Sequence, residues 1–73
     1  MTEVLTIGPT HTLTQSIVYA MPARQVRVLS SAVLQVSVDN STFTDLAATT
    51  TGTDVTAGWT KCTTAAAVVI CRV

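Results

Sequence analysis

Residues 32–46, AVLQVSVDNSTFTDL, constrain the fold more than any other stretch. Leu34, Val36 and Val38 alternate with Gln35, Ser37 and Asp39, and a period of two places the three aliphatic side chains on one face of a strand. Such a face requires a cover. Asp39, Asn40 and Ser41 tolerate left-handed backbone or bond their own main chain, so the strand reverses there into a hairpin. On the return arm only Phe43 and Leu46 are large and apolar, with Thr42, Thr44 and Asp45 between them. That is the pattern of a half-buried or edge strand.

The rest of the chain repeats the theme. Residues 3–7 read as a short first strand with Leu5 and Ile7 on one face, stopped by Gly8 and Pro9, and residues 10–14 restart it. Residues 12–20 are predicted as one extended strand, with Leu13, Ile17 and Tyr19 on one side. After a break at Met21, Pro22 and Ala23, residues 25–29 resume with Val26 and Val28 pointing one way and Gln25 and Arg27 the other. Residues 47–58, AATTTGTDVTAG, are expected to form an exposed loop turning at Gly52, with at most a short strand inside it. Residues 59–62 and 66–73 are predicted to close the chain as a hairpin turning at 63–65, with the apolar last strand in a central position. No segment carries helical periodicity at useful length. Short strands about ten residues apart predict an all-β fold, a small antiparallel β-sandwich or a jelly-roll-like barrel, built as a single domain over residues 1–73.

One core is all that 73 residues can build. Ordering the chain costs about 110 kcal/mol at about 1.5 kcal/mol per residue, which burial in so small a domain only just offsets. A disulfide, a metal or a neighbouring molecule could supply more. Residues 1–10 have neither the basic start nor the continuous apolar run of a secretory signal, so an oxidised framework is not expected. If the terminal hairpin forms, Cys62 lies opposite Ala67 or Val68 and Cys71 near Gly58. That register keeps the sulfurs apart and favours free thiols, with a disulfide as the alternative. His11 is the sole histidine and lies far from both cysteines, without the spacing of a zinc site, and no cofactor is expected.

Association is the remaining source. Hydrophobic residues make up 48% of the chain and charged ones 11%, where a typical soluble domain carries about 25% charge. A formal net charge of zero offers no steering toward nucleic acid. No apolar run approaches the roughly 20 residues needed to cross a membrane as a helix. A chain so apolar is expected to hide its remaining surface against other protein, most simply as a homo-oligomer.

No residue pattern points to catalysis. His11 is flanked by Thr10 and Thr12, but adjacent strand residues point to opposite faces, so neither hydroxyl is placed for it. Asp39 and Asp45 flank a turn where aspartate has a conformational reason to be present. Scattered glycines make no phosphate loop. The chain is therefore expected not to be an enzyme. Tyr19 and Trp59 are candidate interface anchors, and Arg24 and Arg27 are candidates to bond a neighbour's carboxylates.

Two resemblances follow from these segments. SVDNSTF, residues 37–43, resembles the S-x-D-G-x-x-W hairpin of discoidin-like and other carbohydrate-binding β-sandwiches, with Asn40 in place of glycine and Phe43 in place of tryptophan. In those hairpins the serine, acid and aromatic hold the turn, so the match implies structure rather than a sugar site. YAMPARQVRV, SSAVLQVSVDNSTFTDL and GWTKCTTAAAVVICRV together resemble the very short all-β structural proteins of tailed bacteriophages. This likeness covers about two thirds of the chain. It implies a virion component assembled in the host cytoplasm, typically a decoration or cement protein on the capsid surface, bound to the major capsid protein and commonly trimeric. It brings no catalytic residues. A carbohydrate-binding module and a connector or fibre-attachment component of the virion are the alternatives.

Overall fold

The computed structural model describes residues 2–73, which form nine strands. They are β1 (Glu3–Val4), β2 (Thr10–Leu13), β3 (Tyr19–Ala20), β4 (Gln25–Ser30), β5 (Leu34–Ser37), β6 (Thr44–Leu46), β7 (Thr49–Thr56), β8 (Trp59–Cys62) and β9 (Ala66–Cys71). One sheet runs β1-β3-β8-β5-β6 and the other β2-β9-β4-β7. The sheets pack face to face as a small β-sandwich, and the jelly-roll-like barrel is not formed because no strand closes one sheet onto the other. Pairing is antiparallel except between β1 and β3, which run parallel, so the first sheet is mixed.

Alternation along each strand builds the shared core. Val26, Val28 and Ser30 of β4 and Ala66, Val68 and Ile70 of β9 point inward, and Leu5, Leu13, Tyr19, Met21, Leu34 and Cys62 join them in the interior. As expected from its run of aliphatics, β9 is central, between β2 and β4. The hairpin at residues 39–41 also forms. Asn40 takes a left-handed φ of 60°, and Asp39 Oδ1 accepts the N–H groups of Ser41 and Thr42, each at 2.9 Å. Its return arm is the edge strand β6.

Four expectations are corrected. Residues 12–20 are not one strand, because Ser16 turns at φ 66° and its N–H bonds Cys62 O at 2.8 Å. The chain thereby crosses from one sheet to the other, so Leu13 and Tyr19 enter the core from opposite sides. Ile17 is left exposed.

The terminal hairpin is also absent: β8 pairs with β3 and β5, while β9 pairs with β2 and β4. Residues 63–65 cross between the sheets, and stacking the two strands lets each bury its apolar face in the common core. Both cysteines are free, as the sequence favours, but for this different reason: Cys62 faces the core and Cys71 the outer surface of the other sheet.

Residues 47–58 contain the eight-residue strand β7 instead of a loop. Its threonines and valine suit extended backbone. Between the pairs Val28↔Thr53 and Ser30↔Thr49 it carries two more residues than β4, a bulge at Gly52 (φ 103°) whose N–H is donated to Thr49 Oγ1. Finally, Val38 falls beyond the end of β5 and is 70% exposed, so only Leu34 and Val36 share the inward face.

The bulge matters for association. β7 is interrupted, and the other edge strands β1, β6 and β2 have two, three and four residues. Edges this short or bent are poor templates for strand addition.

Candidate functional site

At one end of the sandwich, three connections meet: the turn between β3 and β4, the chain leaving β5, and the turn between β7 and β8. Main-chain hydrogen bonds stitch them together. Met21 N–H donates to Gly58 O at 2.8 Å, Gly58 N–H to Ser37 O at 2.8 Å, and Ala57 N–H to Arg24 O at 3.1 Å. The result is a firm floor beneath an open cleft of about 560 Å³, walled by Met21, Ala23, Arg24, Val38, Ala57 and Trp59.

The cleft opens beside an apolar row. Register places Val4, Ala20, Trp59 and Ser37 side by side across four strands, on the outer face of the five-stranded sheet. Val4 is 57% exposed and Trp59 half-buried. Farther along the same face the character changes, since Gln35 donates to Asp45 and Lys61 sits 4.5 Å over the Phe43 ring. One end of the face is thus apolar and the other polar.

Of the four residues singled out as candidate interface groups, the structure brings Arg24 and Trp59 together in this cleft. Tyr19 is corrected. Its ring is buried, 6% exposed, and its hydroxyl accepts the Thr14 N–H at 2.9 Å, so it anchors the crossing between sheets and offers nothing to a neighbour. Arg27 lies on the outer face of the four-stranded sheet, where Nε donates to Asp54 Oδ1 at 2.7 Å. That bond holds the Asp54 carboxyl below its ordinary range and raises the guanidinium. Met21, Ala57 and Val38 were missed as cleft residues, and for Val38 the period-two pattern pointed to the wrong side because the strand ends one residue earlier.

The outer face of the four-stranded sheet is the second exposed surface of interest. Thr10, Val69 and Leu29 align across three strands, next to Ala67, over a shallow depression of about 230 Å³. Cys71 lies beside Arg27 on the same face. Small hydroxyls and aliphatics dominate, with one internally neutralised ion pair.

Polar groups elsewhere serve the backbone. His11 Nε2 lies 3.1 Å from both the N–H and the carbonyl oxygen of Thr6, tying down the loop before β2. Thr60 Oγ1 donates to Gln35 O at 2.9 Å inside the five-stranded sheet. The Asp39 carboxyl is held below its ordinary range by the Thr42 and Ser41 N–H groups and the Ser37 hydroxyl. A depressed folded-state pKa adds stability above the unfolded value, about 4, and loses it as pH falls through the folded value. Denaturant titrations at descending pH are therefore expected to show stability falling below about pH 4. Asp39→Asn, which keeps an acceptor for the two N–H groups but cannot titrate, is expected to reduce that dependence; an unchanged pH profile would refute the assignment.

Chemically, the cleft offers an apolar wall, an indole and one cation, which is equipment for recognition. Comparisons with protein-family models, with curated proteins and with solved structures find no match to this chain.

Proposed function

We propose that this chain is a non-enzymatic structural protein of a bacteriophage virion: a capsid decoration protein that associates with itself and binds the major capsid protein across subunit joints. The observation that carries the reading is the make-up of its outward surfaces, which present Val4, Val38 and Trp59 on one side and Val69, Leu29 and Ala67 on the other, in a chain with eight charged side chains in 73 residues. Surfaces of that kind gain by being covered. Because the edge strands are short or bulged, covering proceeds through faces. Repetition over a symmetric shell turns a modest contact into substantial resistance to expansion.

The test is to add purified protein to parent shells that lack it and image them by electron microscopy. Added density on the outer surface at subunit joints is expected, together with an oligomer, three copies by preference, in sedimentation at micromolar concentration. A monomer that leaves the shells bare would overturn the proposal, and density at a vertex or tail would assign the chain to a connector instead. The half-exposed Trp59 supports a second reading, a carbohydrate-binding module. That reading requires Trp59→Ala to abolish glycan binding while the folded circular dichroism spectrum is retained.

A further inference from the structure

We infer that the cleft between Arg24 and Trp59 binds an acidic but otherwise apolar peptide segment of a protein partner, with an aspartate or glutamate side chain on Arg24 and aliphatic neighbours on Met21, Val38 and Trp59. The inference rests on the reading that the chain works by binding protein, and it specifies where and with what chemistry.

Charge complementarity selects the acid. Arg24 is the one charged side chain on the cleft wall, and among the described residues it has no carboxylate within ion-pair distance. The chain's own carboxylates are engaged elsewhere: Asp54 with Arg27, Asp39 within its turn and Asp45 with Gln35. Glu3 lies at the far edge of the sheet, on β1. Arg24 is exposed at the rim of the apolar wall, and its planar guanidinium fork suits bidentate pairing with a carboxylate.

The walls select the rest of the ligand. Val38, 70% exposed, lines the cleft with Arg24 and the indole, and beyond Ala20 on the same face Val4 is 57% exposed, so aliphatic surface stands uncovered within and near the cleft. The volume suits two or three residues. A glycan would demand several hydrogen-bonding side chains, and Thr56 supplies the single side-chain hydroxyl among the lining residues. Because main-chain bonds already hold the three connections together, the cleft has little conformational entropy to lose on binding.

The probes are N-acetyl-Leu-Asp-Leu-amide and its Asn counterpart, titrated into the folded protein. Fluorescence of the single tryptophan and the amide shifts of Ala57 and Gly58 report occupancy. The Asp peptide is expected to saturate the signal, and the Asn peptide to bind about two- to fivefold more weakly, the loss of one exposed ion pair. Arg24→Gln, a change at an exposed side chain, is expected to reduce Asp-peptide affinity to the Asn level. Equal binding of the two peptides, no effect of Arg24→Gln, or no saturable response at millimolar peptide would each overturn the inference. So would preferential binding of an oligouronate, which would make the cleft a glycan site. Peptide binding without decoration of shells would remove the virion reading alone, and decoration without peptide binding would remove the cleft alone.

Discussion

Ile70→Ala is expected to remove about 2–5 kcal/mol of stability, the range for truncating a large aliphatic side chain in a packed core. Ile70 is 0% exposed, lies on the central strand β9, pairs with Val28 and bridges Ile7. Its strand is therefore tied to segments from the middle and the beginning of the chain, and no single loop can relax to fill the space. A domain of this size has a total stability of roughly 4–11 kcal/mol, so the variant is expected to lose a large share of it. Val69→Ala supplies the control. That side chain is next in sequence but points outward and half-buried, and its truncation is expected to cost less than about 1 kcal/mol. Urea midpoints of the two variants check the pair. Equal losses would mean that the inward and outward faces of β9 have been assigned wrongly.

Thiol reactivity is expected to split into two phases separated by at least about a thousandfold in rate. Cys71 is partly exposed on the outer face of the four-stranded sheet, whereas Cys62 is 1% exposed, with its thiol 3.5 Å from Thr14 O and 3.8 Å from Leu13 O. A disulfide-exchange reagent reaches Cys62 only when the sandwich opens, and opening a domain of this size costs roughly 4 kcal/mol or more. Native protein is expected to titrate one thiol rapidly and the second on adding denaturant. Cys71→Ser is expected to remove the fast phase and Cys62→Ser the slow one. Two thiols reacting at one rate would place both on the surface, and none reacting until a reductant is added would mean a bridge. The fast phase also reports on function, since a partner that covers the Val69 and Leu29 face would slow it.

Much of the architecture was legible because period-two alternation survives wherever one sheet face meets a core. Leu34 and Val36, Val26 and Val28, and the inward residues of β9 follow it directly. The hairpin at Asp39 was legible for another reason, since a short acceptor side chain bonding the next two N–H groups is a local event. The failures share a cause. Residues 12–20 carry an unbroken β pattern and residues 59–62 and 66–73 two successive ones, and alternation records which side chains are buried without recording which strand lies alongside. The run TTTGTDV reads as a loop because glycine and aspartate argue locally against a strand. Pairing to β4 overrides them, and Gly52 is accommodated as a bulge.

The candidate site was half legible. Trp59 and Arg24 stand out by residue type, but 35 positions separate them in the chain, and nothing local to either segment indicates that their turns share one cleft. Tyr19 shows the reverse error: an aromatic with a polar tip looks available to a partner, and its hydroxyl is used inside.

From the amino-acid order alone came the all-β class, the turn at residues 39–41, the central final strand and a surface poor in charge, because each depends on side-chain chemistry within a few residues. Tertiary structure alone decided which sheet each strand joins, that the two thiols face opposite environments, and that Arg24 meets Trp59. Those outcomes depend on how the apolar faces of distant segments stack to exclude water, a choice that no short window of sequence contains.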